Sequence, residues 1–252
     1  MANKSKAQVS RSIVGAGLSQ AATEILVKNL SAKTIAGAGG TDPSQLPTDE
    51  VTLSLVILDE SGSMLDDCDE VVKEFKENLD AIRGSKQADE ILMSTWLFNS
   101  RTRMLHSYLT LELVDELTDY HPVDMTALYD AVLDGFTGLV AYEAELRKQG
   151  MRTKINVAVF TDGVDNESRN RADDVRKVAE ELLARENCTL TLSAFGYDFK
   201  PEEIAQAIGF PDPGKFDKTP AGRRRAFGTW SSSVIKTSQT KIGGSKTGFF
   251  TP

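Results

Sequence analysis

Three short stretches carry oxygen donors at spacings suited to a hard cation. In Asp59-Glu60-Ser61-Gly62-Ser63, three donors alternate along one turn, so Asp59, Ser61 and Ser63 can face one side. Thr126 adds a hydroxyl from a second loop, and Asp162, in Thr161-Asp162-Gly163, a carboxylate from a third. Mg²⁺ or Mn²⁺ takes about six oxygens in near-octahedral geometry and keeps waters readily. Only Asp59 and Asp162 are anionic, so a divalent cation here keeps net positive charge and a position for water or an outside ligand. Such a centre attracts a carboxylate, which is binding chemistry and needs no general base. Singly, each stretch is ordinary. Ser-Gly-Ser and Asp-Gly are common turns, and Thr126 could be a plain helix cap.

The elements that must position these residues follow from hydropathy. Val51–Leu58 is mostly apolar between turn residues, as a buried parallel strand is. After the DESGSM loop, Val72, Phe75, Leu79 and Ile82 mark one helix face. Ile91–Phe98 and Thr102–Leu109 are strands joined by Asn99-Ser100-Arg101, too short for anything but an antiparallel hairpin. A long helix is predicted over Thr126–Lys148, a strand over Ile155–Phe160, a helix over Arg171–Glu186 and a strand over Thr189–Phe195. Pro201 and Gly209 bracket a short helix, and Thr219-Pro220 opens a last one through Phe227, Trp230 and Val234. This alternation implies an α/β fold: a three-layer, doubly wound, mostly parallel sheet with one antiparallel edge hairpin. Ligands of such sheets sit beyond the carboxyl ends of the strands, where the strand order reverses. Two of the donor stretches follow strands, and the third opens the long helix.

The donor set resembles the metal-ion-dependent adhesion site of von Willebrand factor A domains: Asp-x-Ser-x-Ser, a distant Thr, then Thr-Asp-Gly after a later strand. LVILDESGSM, WLFNSRTRMLH, TALYDAV and VAVFTDGVDN are similar to stretches of stand-alone intracellular bacterial members, and the resemblance covers about residues 51–209. It implies that Ser61, Ser63 and Thr126 ligate the metal directly, with Asp59 and Asp162 acting directly or through waters. It implies a protein-interaction module rather than an enzyme, in which a partner's Asp or Glu completes the coordination sphere. By analogy only, that partner is an AAA+ ATPase or a stress-response component.

One departure is Asp124-Met125 before the Thr, where relatives often have glycines. Asp124 there narrows the approach, adds a charge beside the metal, ligates weakly or supports the site from behind, or caps the loop. Asp66 and Asp67 keep the spacing of the second, adjacent metal site of integrin β subunits, which would suit Ca²⁺; they also suit the positive end of the following helix. Asp130 is placed to support the metal loop. His121 reads as a loop histidine, and Asp165, Asn166 and Glu167 as a solvated loop and helix cap. Arg223-Arg224-Arg225 is a solvated face or a docking patch for an acidic partner, and the terminal Gly-Phe-Phe-Thr-Pro a docking peptide or a segment folded back.

The 252 residues suffice for a core without disulfides or structural metal. Two cysteines, Cys68 and Cys188, fit a reducing compartment and cannot make a zinc site. No run approaches the roughly 18 apolar residues of a membrane helix, and the Gly-interrupted start is a poor leader, so a cytoplasmic location is expected. Net charge is −8, with the first 48 residues at +3 and the last 40 at +7. The strongly acidic middle disfavours nucleic acid and anionic membranes. Residues 1–50 read as a helical extension, one weakly amphipathic pattern to about residue 35, followed by a Gly/Pro linker; 51–238 as the body; 239–252 as a flexible tail. Two other functions compete. A metal-dependent hydrolase or phosphatase would need a positioned base or nucleophile that the sequence lacks. A metal-independent assembly subunit would rely on the N-terminal helix or basic tail.

Overall fold

The computed structural model describes residues 4–185, 187–196, 199–211 and 213–240. Both Glu186, the expected end of one helix, and the Gly-Phe-Phe-Thr-Pro tail lie outside these. Residues 4–37 hold three short helices rather than one pattern: α1 (Lys6–Val14), α2 (Gln20–Lys28) and α3 (Ala32–Gly37). Serines 5, 19 and 31 cap them, each accepting a backbone N–H of the first turn, so every restart has its own nucleating residue.

Strand β1 (Glu50–Asp59) then enters the core, followed by a 3₁₀ turn and α4 (Cys68–Arg83). Strands β2 (Ile91–Phe98) and β3 (Thr102–Thr110) make the antiparallel hairpin. Next come α5 (Leu128–Lys148), β4 (Arg152–Thr161), α6 (Ala172–Leu183), β5 (Cys188–Phe195), α7 (Pro201–Ile208), β6 (Gly214–Phe216) and α8 (Pro220–Gln239). The sheet order is β3-β2-β1-β4-β5-β6, and every pair except β2–β3 is parallel. The expected α/β architecture is therefore present. Strand β6, only Gly-Lys-Phe, is too short to show a pattern in the sequence.

Period-two alternation splits the core between the faces. Leu53, Leu55 and Ile57 of β1 face the cluster built with α5, α6 and α7, while Val56 and Leu58 face α4 and α8. Phe160 of β4 stacks on Phe227 of α8 at 4.5 Å between centroids, and Trp230 meets Phe160 edge-on. No helix among the described residues is long and apolar enough to cross a membrane.

The N-terminal helices pack on α5. Val9, Ile13, Ala22, Leu26 and Leu30 join the same core cluster as β1 and α5. Asn29 donates to Asp134 (3.0 Å) and Thr137 (3.2 Å), and Lys33 pairs with Asp134 at 2.6 Å. The Gly/Pro-rich stretch that follows lies along the sheet edge. Thr41 N–H donates to the Tyr108 carbonyl of β3 (3.0 Å), and Tyr142 of α5 donates to the Thr41 carbonyl (2.7 Å). Strand β3 is itself irregular, with register shifts against β2 and a left-handed Tyr108 (φ 43°).

Gly138 of α5 makes this contact possible, because a Cβ there would lie 2.9 Å from the Gly37 carbonyl oxygen. Alanine normally stabilises a helix interior. Gly138→Ala is instead expected to destabilise the fold by about 1–3 kcal/mol through overpacking. Thermal or urea denaturation reads this, and a raised melting temperature would show that the N-terminal layer does not press on α5 as described.

Candidate metal centre

Strand order reverses between β1 and β4, and the crevice beyond their carboxyl ends holds the expected donors. Asp59 is the last residue of β1 and is 1% exposed. Its Oδ1 accepts the Ser61 N–H at 2.8 Å and its Oδ2 the Thr161 hydroxyl at 2.6 Å. Burial pushes the Asp59 pKa up to about 6; these hydrogen bonds pull it down, and the neighbouring Asp162 charge pushes it up again.

The other donors close around it. The Ser61 and Ser63 hydroxyls lie 3.2 Å apart, and Ser63 donates to Asp162 Oδ1 at 2.6 Å. Asp162 Oδ2 accepts the Lys218 ammonium at 2.7 Å. Thr126 is buried, and a side chain begun on Gly163 would start 3.9 Å from its hydroxyl oxygen. Its backbone is held by Asn166: Thr126 N–H donates to Asn166 Oδ1 (2.8 Å) and Asn166 N–H to the Thr126 carbonyl (3.0 Å). The structure thus brings Asp59, Ser61, Ser63, Thr126 and Asp162 together from three loops.

Backbone bonds set the register of those loops. Val123 N–H donates to the Glu60 carbonyl and Gly62 N–H to the Asp124 carbonyl, both at 3.0 Å. For that, Asp124 adopts the left-handed region (φ 65°), which short polar side chains tolerate and glycine prefers. The Tyr120 hydroxyl donates to the Asp59 carbonyl. Glu60 turns away from the donors and is buried in a forked pair with Arg103 (3.0 and 2.7 Å). Thr161, Tyr120, Glu60, Asn166 and Lys218 all act on the site, yet no spacing in the sequence singles them out. Only the adjacency of Thr161 to Asp162 was a signal.

The remaining candidates lie elsewhere. Asp124 is exposed and holds the loop by its backbone. The Asp130 carboxylate accepts the Asn170 side chain (2.7 Å) and the Arg169 and Asn170 N–H groups, so it ties α5 to the loop after Thr-Asp-Gly. Asp66 is exposed, while Asp67 is paired with the guanidinium of Arg223. Arg223 is wholly buried, 4.0 Å over the Phe195 ring, so the arginine triplet is not one solvated face. Arg224 pairs with Glu74 and Arg225 with Asp217. His121 is 78% exposed beside Asp119. Asp165 accepts the Tyr129 N–H and the Ser168 hydroxyl as a loop cap.

Three hydroxyls and two carboxylates suit a hard divalent cation, because all donors are oxygen and most are neutral. The five donors include no imidazole and no thiolate.

Two outcomes follow for the metal-free protein. Because the folded Asp59 pKa exceeds its unfolded value, stability is lost as pH rises from about 4 through about 6, by roughly 2–3 kcal/mol in full. Asp59→Asn keeps an acceptor for Ser61 and has no charge to bury. Its denaturation midpoint in EDTA should lose that pH slope, and a slope equal to wild type would rule out Asp59 as its source. At Asp124, Gly is expected to be neutral or slightly stabilising, while Val costs about 1–2 kcal/mol by the left-handed strain; denaturation of both variants checks this.

No protein-family model matches the sequence, and no curated protein does. Solved structures resemble it at low identity. The von Willebrand factor type A structure from Catenulispora acidiphila matches with TM-score 0.50 and 13% identity, over 75% of this chain and 43% of that one. The pilus adhesin SpaC from Lactobacillus rhamnosus GG, in its open conformation, matches with TM-score 0.55 and 12% identity, over 76% and 31%. A D319A mutant of the PilB minor pilin from Streptococcus sanguinis matches with TM-score 0.50 and 11% identity, over 76% and 63%. The chain spans less than two-thirds of each of these solved chains. At such identities the likeness concerns the fold, and with the strand order and the helices on both sheet faces it gives this chain the von Willebrand factor A fold.

Proposed function

We propose that the chain is a metal-dependent protein-interaction module. Mg²⁺ or Mn²⁺ is held by Ser61, Ser63 and Thr126, with Asp59 and Asp162 direct or through water, and a carboxylate of a partner protein completes the shell. The observation that carries this reading is the convergence of five oxygen donors, only two of them charged, at the switch point of the sheet. The metal would supply a positive centre for an outside anion. The chain's own residues hold the donors in register and bury the two carboxylates.

The surroundings favour a protein over a small phosphoester. Six large apolar side chains are exposed among the described residues, and Leu65, Val123, Met125 and Val164 are four of them. All four sit within three residues of a donor in sequence, on the three donor loops. Apolar surface around a polar centre is the composition of a protein contact. Neither histidine supports hydrolysis. His106 lies buried on β3 and accepts the Asp115 N–H, while His121 faces solvent. The partner class implied by the sequence resemblance, an AAA+ ATPase or a stress-response component, is the first to try.

Capture from native lysate on immobilised protein with Mg²⁺ tests this. The partner should be lost with EDTA and in Asp59→Ala. In a direct titration, Mg²⁺ affinity should rise about tenfold per pH unit below the Asp59 pKa of about 6 and level off above it, since the metal competes with one proton. A partner retained in EDTA would turn attention to the N-terminal helices as an assembly surface, and metal-dependent phosphoester turnover lost in Asp162→Ala would restore the hydrolase reading.

A further inference from the structure

Lys218 sits in the turn between β6 and α8. Its stem crosses Gly196 at the end of β5, where a Cβ would stand 3.2 Å from Lys218 Cε and 3.5 Å from Cδ and Cγ. Gly196 also has φ +94°, so this crossing is open to glycine and closed to other residues. The route ends with the ammonium 2.7 Å from Asp162 Oδ2. The Asp162 side chain is 0% exposed and that of Lys218 is 36% exposed. An exposed Lys–Asp pair has little energetic weight. Here the carboxylate side chain is buried, so the pair is screened far less by solvent.

Both oxygens of Asp162 are engaged, Oδ1 by the Ser63 hydroxyl and Oδ2 by Lys218. Resting on the metal reading above, we propose that Lys218 is a tethered competitor for the divalent cation. In the metal-free protein its single charge keeps Asp162 compensated. A metal that draws on Asp162, directly or through a water, must take Oδ2 from the ammonium or tolerate its repulsion. Lys218 therefore lowers the metal affinity of the site. It also couples loading to release of the turn at 217–219, which is joined to α8 through the Thr219 cap on Gly222 N–H (3.1 Å). The half-exposed stem lets the ammonium swing to water without disturbing the core.

The test uses the full chain. Lys218→Met keeps the stem over Gly196 and removes the charge, Lys218→Gln is a second neutral variant, and Lys218→Arg keeps the charge. Calorimetric titration with MgCl₂ should give a Kd at least about tenfold lower in both neutral variants, on the order of one pK unit of differential interaction, and near the wild-type value in Lys218→Arg. In EDTA the neutral variants should melt below wild type, and saturating Mg²⁺ should raise their melting temperature by more. Equal, measurable Kd values in wild type and Lys218→Met would overturn the inference and leave the metal site standing. Absence of any Mg²⁺ or Mn²⁺ response in all four chains would overturn the metal reading, and this inference with it.

Discussion

Two carboxylates buried side by side are the constraint around which this fold is arranged. Asp59 and Asp162 extend from the ends of adjacent parallel strands, so the β1–β4 pairing itself brings like charges together in a low dielectric. Everything near them answers that charge: the Ser61 N–H, the Thr161 and Ser63 hydroxyls, and the Lys218 ammonium. Burial still holds the Asp59 pKa above the usual carboxylate range.

The rigid parts of the site come from the backbone. Glu60 and Gly62 are laced to Val123 and Asp124, Thr126 to Asn166, and Glu60 is clamped by Arg103. These bonds place neutral hydroxyls at a point where the chain cannot relax away. The left-handed Asp124 is the geometric toll of the lacing. Glycine would take this positive φ at no steric cost, and Asp124 is a residue type that tolerates it.

The strands and long helices were legible because their apolar residues recur at unmistakable intervals, as in Val51–Leu58 and through Val72, Phe75, Leu79 and Ile82. The five candidate donors stood out because they cluster in turns at the ends of two strands and the start of the long helix, and the structure brings those turns together. What was not legible depends on distant partners. Nothing local marks Lys218 as a neighbour of Asp162 or Arg223 as a buried partner of Asp67, since these contacts span 56 and 156 residues. The N-terminal stretch misled through its serines, which restart helices after Gly17 and Leu30 and break what hydropathy alone joins into one. Strand β6 is defined by pairing with β5, not by its three residues.

The two borders of the sheet differ from an open, flat strand in separate ways. At one border β6 offers three residues, too few to template another chain. At the other, β3 is kinked at Tyr108, shifted in register against β2 and covered by the segment around Thr41. A free edge of paired length is what lets sheets stack between molecules and grow into fibrils. With both borders blunted, self-association through the sheet is disfavoured.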